Sequence, residues 1–102
     1  MVGSIFLAKI YFTDLSSYKI RPVLVLQEMG DDCLCLQLTT QKYKGFTLTN
    51  KDLLQGSIKK DSFIVVPKNF TIHKSILTKK LATIKTEKYR LIKDTFCKEI
   101  LC

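Results

Sequence analysis

Short apolar runs separated by turn-forming residues recur along the 102-residue chain, and they constrain its fold more than any other feature. Runs of about four to eight residues bounded by Gly, Pro, Asn, Asp or Ser are typical of β-strands. The run from Val23 to Leu26 has no polar member, which predicts a strand that is buried on both faces. The chain therefore reads as one mainly β domain.

The turn signals divide the chain into predicted strands. These are Ile5–Phe12, Val23–Gln27, Cys33–Leu38, Gly45–Thr49, Ser62–Val66, Phe70–His73 and Lys80–Ile84. Met29–Asp32 is predicted to be a tight hairpin turn, and Thr13–Ser17 and Asp52–Gly56 are predicted to be loops. Pro67 is expected to end the strand before it, because proline has no N–H to donate to a ladder.

A helix is predicted at the C-terminal end of the chain. Thr86 is expected to cap it, and the helical pattern continues to about Ile100. Tyr89, Ile92, Phe96 and Ile100 recur at helical spacing, which predicts one buried stripe. The predicted architecture is a small, strongly bent antiparallel sheet closed by a C-terminal helix.

Composition narrows the class of protein. The net charge is +8, and the hydrophobic content of 46% argues against disorder. A positive field attracts polyanions, although a lysine-rich surface can also be merely solvated. No apolar run approaches the length of a membrane span, and the N-terminus lacks a signal-peptide pattern, so the sequence predicts a cytoplasmic protein.

The four cysteines form no C-x-x-C pair. Cys33 and Cys35 are two residues apart and share a strand face, whereas Cys97 and Cys102 lie near the end of the chain. Without a secretion signal, reduced and mostly buried thiols are expected. The spacing is unsuited to zinc and there is one histidine, so neither a metal nor a cofactor is predicted.

The arginine before the central strand is the main candidate for chemistry. A guanidinium is a planar fork that suits phosphate oxygens, although Arg21 could also simply pack its stem at a strand end. A hairpin turn centred on Gly30 and Asp31 would set Arg21 opposite Thr40, and a three-residue loop would set it opposite Thr39. Either register brings the arginine and a threonine hydroxyl to the same end of the sheet.

Six short motifs, each weak alone, carry a resemblance through their order and spacing. They are Gly3, Phe12-x-Asp14-Leu15, Arg21–Leu26, Leu38–Gln41, Asp61–Ile64 and Thr71-Ile72. In this order the chain resembles the PemK/MazF family of toxin endoribonucleases over nearly its whole length. The resemblance implies a distorted SH3-like barrel of antiparallel strands with a C-terminal helix, in agreement with the strand and helix pattern.

The resemblance also implies a function. Members are toxins of type II toxin–antitoxin systems that cut single-stranded RNA without a metal, act as homodimers, and are silenced by a cognate antitoxin protein. Arg21 is similar to the family's catalytic arginine, and Thr39 is similar to its catalytic threonine. In that chemistry a 2′-hydroxyl attacks the adjacent phosphate, and donors aimed at the phosphate oxygens stabilise the charge that develops.

Other residues near Arg21 are expected to contact RNA. They are Tyr18, Lys19, Thr40, Gln41, Lys42, Tyr43 and Lys44. The tyrosines offer faces on which unpaired bases stack, and the lysines are suited to flanking phosphates. His73 stands where the family often has an aspartate; it is a candidate acid or base, and the alternative is an ordinary surface histidine.

The chain also departs from the family pattern. The loop from Leu15 to Arg21 and the turn between the second and third strands are both short. These departures leave an alternative open, namely a non-catalytic member of the same fold that binds nucleic acid or a protein target.

Overall fold

Residues 1–11 and 17–101 are described by the computed structural model, with only the backbone for residues 67, 100 and 101. Within them, seven strands form one antiparallel sheet in the order β4-β6-β3-β2-β1-β7-β5. The strands are β1 (Ser4–Tyr11), β2 (Tyr18–Met29), β3 (Asp32–Thr39), β4 (Phe46–Leu48), β5 (Leu53–Gly56), β6 (Ser62–His73) and β7 (Leu77–Ile84). The sheet curls into a half-barrel, which confirms the mainly β prediction.

One α-helix, α1 (Thr86–Phe96), follows the sheet and continues as a π-helical turn over Cys97–Leu101. The prediction that Thr86 caps the helix is wrong, since Lys85 is the N-cap and provides no side-chain bond. The Lys85 backbone is extended, and the Lys85 carbonyl accepts the Tyr89 amide at 3.0 Å. The helix therefore begins with a backbone hydrogen bond and without a side-chain cap. No helix in residues 1–11 and 17–101 combines the length and apolar character needed to cross a bilayer.

Most of the Asp52–Gly56 segment, which was predicted to be a loop, forms strand β5 (Leu53–Gly56), so that prediction was wrong. A single 3-10 turn, Asn50–Asp52, precedes the strand. The Thr49 side chain accepts the Lys51 amide at 3.3 Å, and Asp52 accepts the Thr49 amide at 2.9 Å. These two bonds form a capping box at the 3-10 turn. The short strand that follows pairs with β7, where Leu53 lies opposite Ile84. A four-residue strand carries too few residues to show an alternating pattern.

Strand β6 continues through Pro67, so the prediction that proline ends the strand was wrong. Val65 pairs with Gln37 of β3, whereas the next paired residue is Asn69, opposite Leu36. The three residues between them form a bulge. Proline needs no ladder bond at a bulge, which is where sheets tolerate it.

The half-barrel has apolar residues on both faces. The main core joins the sheet to α1 and includes Leu24, Leu36, Ile64, Ile92 and Phe96. A second core on the other face is formed by Ala8, Val23, Val25, Cys33 and Cys35. The run Val23–Leu26 is at most 4% exposed, which confirms burial on both faces.

The cysteines that the structure describes are free thiols. Cys33 and Cys35 are buried in the second core, as predicted, and Cys97 is half-buried. Burial raises the pKa of Cys35 to about 12, so this thiol stays protonated at neutral pH. Cys102 and the predicted Phe12-x-Asp14-Leu15 motif lie outside the described residues.

Candidate active site

Two registers meet in the β2–β3 ladder. At the hairpin, Met29 pairs with Asp32 across a two-residue turn, as predicted. A bulge at Leu26 then shifts the pairing by one residue, and the ladder ends with Val23 opposite Gln37. A bulge of this kind places one extra residue on one strand and re-aims the side chains beyond it.

The bulge decides which threonine faces Arg21. Continuing the register of Val23 and Gln37 by two residues sets Arg21 opposite Thr39, on the same face of the sheet. The two-residue turn alone would have set Arg21 opposite Thr40. Val23 and Gln37 are the last pair of the ladder, so the opposition of Arg21 and Thr39 extends the bulged register by two residues and does not need a longer turn.

Residues from the N-terminal segment and from helix α1 donate hydrogen bonds to the bulge. The Tyr89 hydroxyl donates to the Leu26 carbonyl at 2.7 Å, and the Gly3 amide donates to the Val25 carbonyl at 2.8 Å. Burial raises the pKa of the Tyr89 phenol, which keeps the donor protonated. The helical spacing predicted Tyr89 only as a member of the buried apolar stripe. The hydrogen bond from its hydroxyl to the bulge was therefore not predicted.

Arg21 is exposed and lines a small cavity of about 240 Å³, the Arg21 cavity. Lys19, Gln37, Ile10 and Phe70 complete the lining. Lys19 is two residues from Arg21 on β2 and so shares its face. Two cations and an amide beside one cavity suit a phosphate group, since a phosphate diester is an anion with several acceptor oxygens.

Thr39 is half-buried at the end of β3, where it pairs with Phe63 of β6. Its Oγ1 accepts the Gln41 amide at 3.2 Å. A hydroxyl can accept two bonds and donate one, so this contact fixes the oxygen while the O–H can still turn toward a ligand.

The residues after Thr39 are exposed and lie at the Arg21 end of the sheet. Thr40, Gln41, Lys42, Tyr43 and Lys44 form this segment. The Gly45 amide donates to the Tyr43 carbonyl at 3.0 Å, which makes the segment compact. Thr40 faces a separate, larger groove on the opposite face of β2.

Tyr18 begins β2 and is 47% exposed. It pairs with Tyr11 of β1, and the two ring centroids are 5.5 Å apart. The Lys9 ammonium lies 5.2 Å from the centroid of the Tyr18 ring. The predicted stacking residue therefore belongs to an exposed aromatic pair with a cation beside it.

His73 lies at the other end of the sheet, away from Arg21. It pairs with Asp32, seven positions along β3 from Thr39, which is roughly 23 Å in an extended strand. Its Nδ1 accepts the Ser75 amide at 3.1 Å and so caps the 3-10 turn Lys74–Ile76. Within one chain, the geometry favours a capping role for His73 over proton transfer at Arg21.

A metal centre does not emerge from the side chains in residues 1–11 and 17–101. No group of three or more His, Cys, Asp or Glu side chains in these ranges is arranged to hold a metal ion. The polar side chains that line the Arg21 cavity are two cations, Lys19 and Arg21, and the amide of Gln37.

The fold and the site define a small half-barrel protein with a cavity of about 240 Å³ lined by two cations at one rim. A family model described as the PemK-like, MazF-like toxin of type II toxin–antitoxin systems matches residues 2–100. The chain belongs to this family. Membership implies an antitoxin partner and an RNA substrate.

A solved structure shares the fold. The Mycobacterium tuberculosis toxin MazF-mt6 superposes with a TM-score of 0.68 over 93% of each chain, at 16% sequence identity. No curated protein sequence matches this chain. The fold is therefore retained at a sequence distance where individual residues must be argued from the site itself.

Proposed function

We propose that this protein is the toxin of a type II toxin–antitoxin pair and acts as a metal-independent endoribonuclease on single-stranded RNA in the cytoplasm. The observation that supports this most is the bulged β2–β3 register, which brings Thr39 opposite Arg21 when it is continued by two residues beyond Val23 and Gln37; Lys19 lines the same cavity as Arg21. Two cations and a hydroxyl at one strand end suit a phosphate diester better than a neutral substrate.

The proposed reaction is an internal transfer. The ribose 2′-hydroxyl attacks the neighbouring phosphorus, the bond to the 5′-oxygen breaks, and the products carry 2′,3′-cyclic phosphate and 5′-hydroxyl ends. Negative charge develops on the non-bridging oxygens in the transition state. The Arg21 fork and the Thr39 hydroxyl donate to these oxygens, and the loss of one such donor typically costs about 10²- to 10³-fold in rate.

The exposed residues around Arg21 are proposed to hold the RNA strand. Tyr18 and Tyr43 are exposed and offer ring faces for unpaired bases, and the exposed Lys42 and Lys44 would bind flanking phosphates. Gln41 and Thr40 add side-chain donors to the same segment.

We also propose that the active form is a homodimer. Apolar side chains border the second core and are only half-buried, namely Phe6, Ile10, Phe70, Ile72, Ile76 and Leu77. They lie on the Arg21 face, so they offer an apolar surface for a second copy of the chain on that side of the sheet. Sedimentation at micromolar concentration tests this, and a monomer there would contradict it.

The direct test is incubation of the purified chain, free of antitoxin, with a diverse pool of single-stranded RNA in EDTA. The expected result is cutting at a restricted set of sequences. Absence of cuts at any sequence would refute the proposal. RNA binding without cutting would instead support the alternative, a non-catalytic member of the fold.

A further inference from the structure

A groove of about 570 Å³ lies on the face of β2 opposite the Arg21 cavity. Successive strand residues point to opposite faces, so Pro22 lines this groove, here called the Pro22 groove, whereas Arg21 lines the cavity. Leu38 of the lining belongs to the main core, and Ile58 and Leu81 pack against that core. Of the described residues of α1, none lines the groove. The groove is therefore a place where the main core reaches the surface beyond the helix.

The floor of the Pro22 groove is a row of side chains from neighbouring strands. Leu7 of β1 pairs with Pro22 of β2 on one side and with Lys79 of β7 on the other. Continuing the bulged β2–β3 register by one residue sets Leu38 opposite Pro22. Leu7 and Pro22 are half-buried, so part of each apolar side chain is open to the groove. The row therefore joins an aliphatic floor to a positive charge at its β7 end.

The chemistry of this floor favours an aliphatic ligand. Its apolar members are Leu7, Pro22, Leu38, Ile58 and Leu81, and no aromatic ring from the described part of the chain lines the groove. Unpaired bases bind by stacking on aromatic rings, so a nucleobase fits this floor poorly. A peptide that adds a strand needs a free sheet edge, whereas β1, β2, β3, β6 and β7 each lie between two other strands. An aliphatic chain needs only contact with apolar side chains, and it fits best.

The rim of the Pro22 groove is positively charged. Lys59 and Lys60 come from the β5–β6 connection, and Lys79 comes from β7. Of the lining residues that the structure describes, none is acidic. Within residues 1–11 and 17–101, no salt bridge involves any of these three lysines. An ammonium group binds a carboxylate or a phosphate as a point charge, and the hydroxyls of Thr40 and Ser57 line the same groove as further donors. The rim therefore suits an anionic head group.

The wall that carries Lys59 and Lys60 is held in place by the fold. The Asn50 Oδ1 accepts the Ile58 amide at 2.9 Å, and the Asn50 Nδ2 donates to the Ile58 carbonyl at 3.3 Å. At the start of the wall Gly56 has a φ of 79°, and a Cβ there would overlap the carbonyl of Leu81 on β7. The connection therefore packs directly against β7, and the groove is formed before any ligand arrives, as is usual for small-ligand sites.

We propose that the Pro22 groove binds a small amphipathic anion, namely a single aliphatic chain of medium length that ends in a carboxylate or a phosphate. The chain lies on the aliphatic floor, and the head group binds among Lys59, Lys60 and Lys79. The volume of the groove lies within the roughly 300–1,000 Å³ that is usual for small-ligand sites. Binding there involves neither RNA nor Arg21, which lines a cavity on the other face of β2.

The first test is amide NMR of the whole chain, titrated with decanoate and separately with decyl phosphate, both below their micelle concentrations. Decyltrimethylammonium has the same tail with a cationic head and is the matched control. Saturable shifts at Ile58, Lys79 and Leu81 with either anion, and binding at least about tenfold weaker for the cation, support the site. The anion with the lower Kd then identifies the preferred head group. No saturable shifts at these residues, or equal binding of the cation, would overturn the proposal.

The second test compares Lys79→Gln with Lys80→Gln. Both lysines are exposed and adjacent on β7, but only Lys79 lines the groove. The Kd for decanoate should rise about three- to tenfold in Lys79→Gln and keep its wild-type value in Lys80→Gln, because only the first variant removes a charge from the rim. Equal Kd values for the two variants would overturn the placement of the head group.

The third test varies the chain length on the wild-type protein, so that no substitution can disturb the fold. Each methylene removed from the ligand should raise the Kd by up to about fourfold, since that is the effect of losing one buried methylene. Octanoate should therefore bind more weakly than decanoate, and equal Kd values would overturn the aliphatic floor as the binding surface. An acidic peptide or an oligonucleotide that shifts the groove amides when neither decyl anion does would also overturn the proposal, and would assign the groove to a macromolecule.

Discussion

The two ends of the β2–β3 ladder differ in how their charges are used. At the hairpin end, Lys74 Nζ lies 2.9 Å from Glu28 Oε1, and the Lys74 amide donates to the Asp31 carbonyl at 2.8 Å. At the other end, β2 carries Lys19 and Arg21 on one face. Within residues 1–11 and 17–101, no salt bridge involves Arg21. At the hairpin end Glu28 and Lys74 form an ion pair, whereas the Arg21 guanidinium has no salt-bridge partner within the described residues.

The bulge at Leu26 separates these two ends. Pairing on the hairpin side follows from the turn, whereas pairing on the Arg21 side follows from the bulge that Tyr89 and Gly3 bind. The geometry of the candidate site therefore depends on both chain ends. The comparison predicts that substitutions at the Arg21 end change catalysis, whereas those at the hairpin end change stability slightly.

The largest expected effect is from Arg21→Ala. Removal of the guanidinium should lower the cleavage rate by at least about 10²- to 10³-fold, because charge on the phosphate oxygens loses its main donor. The melting temperature should stay near the wild-type value, since Arg21 is exposed. Arg90→Ala, the other arginine and also exposed, is the control that should cut normally. Wild-type cleavage by Arg21→Ala would show that the site is misassigned.

Thr39→Val should have the next largest effect. Valine keeps the β-branched shape and removes the hydroxyl, so we expect a rate loss of about 10²-fold with little change in melting temperature. Thr71→Val serves as the control, because Thr71 is exposed on β6 toward the hairpin end, opposite Leu34. A fall in melting temperature in proportion to the rate loss would mark Thr39 as structural.

Tyr89→Phe tests the link between the helix and the bulge. The substitution removes the donor to the Leu26 carbonyl and should lower the free energy of unfolding by about 1–3 kcal/mol, the usual cost of leaving a buried acceptor unpaired. Chemical denaturation measures this change. An unchanged unfolding free energy would mean that the bond does not stabilise the bulge.

The smallest effect is expected from Glu28→Gln at the hairpin end. The hydrogen bond from Lys74 lowers the pKa of Glu28 and raises the pKa of Lys74. A lowered carboxyl pKa stabilises the fold above the ordinary value of 4.5, and this contribution fades as the pH falls through the lowered value.

For Glu28→Gln we therefore expect a slightly lower melting temperature at pH 7, a smaller difference from wild type in acid, and unchanged cleavage. Melting curves across the acid range measure the first two. A change in cleavage rate as large as that of Thr39→Val would remove the distinction between the two ends.

The sequence alone predicted the parts of the fold that depend on local pattern. The apolar run Val23–Leu26 identified the central strand, and the helical spacing of Ile92 and Phe96 identified the buried stripe. The hairpin arithmetic also predicted that Arg21 lies near a threonine, and this stays a prediction. These features are set by residues close together in the chain.

The features that were missed depend on distant contacts. The bulge at Leu26 is bound by Gly3 and Tyr89, which lie far from it in sequence. Strand β5 is defined by its pairing with β7. Pro67 lies within β6 at the bulge that interrupts the pairing of β6 with β3. The Pro22 groove likewise combines residues from five strands and two connecting segments, so no local motif indicates it.

The most direct test of the central claim is mass spectrometry of the fragments from one short single-stranded RNA, cut by the purified protein in EDTA. We expect fragments with 2′,3′-cyclic phosphate and 5′-hydroxyl ends from the wild type, and intact RNA with Arg21→Ala. Fragments with 5′-phosphate ends, or the same fragments at the same rate from Arg21→Ala, would contradict it.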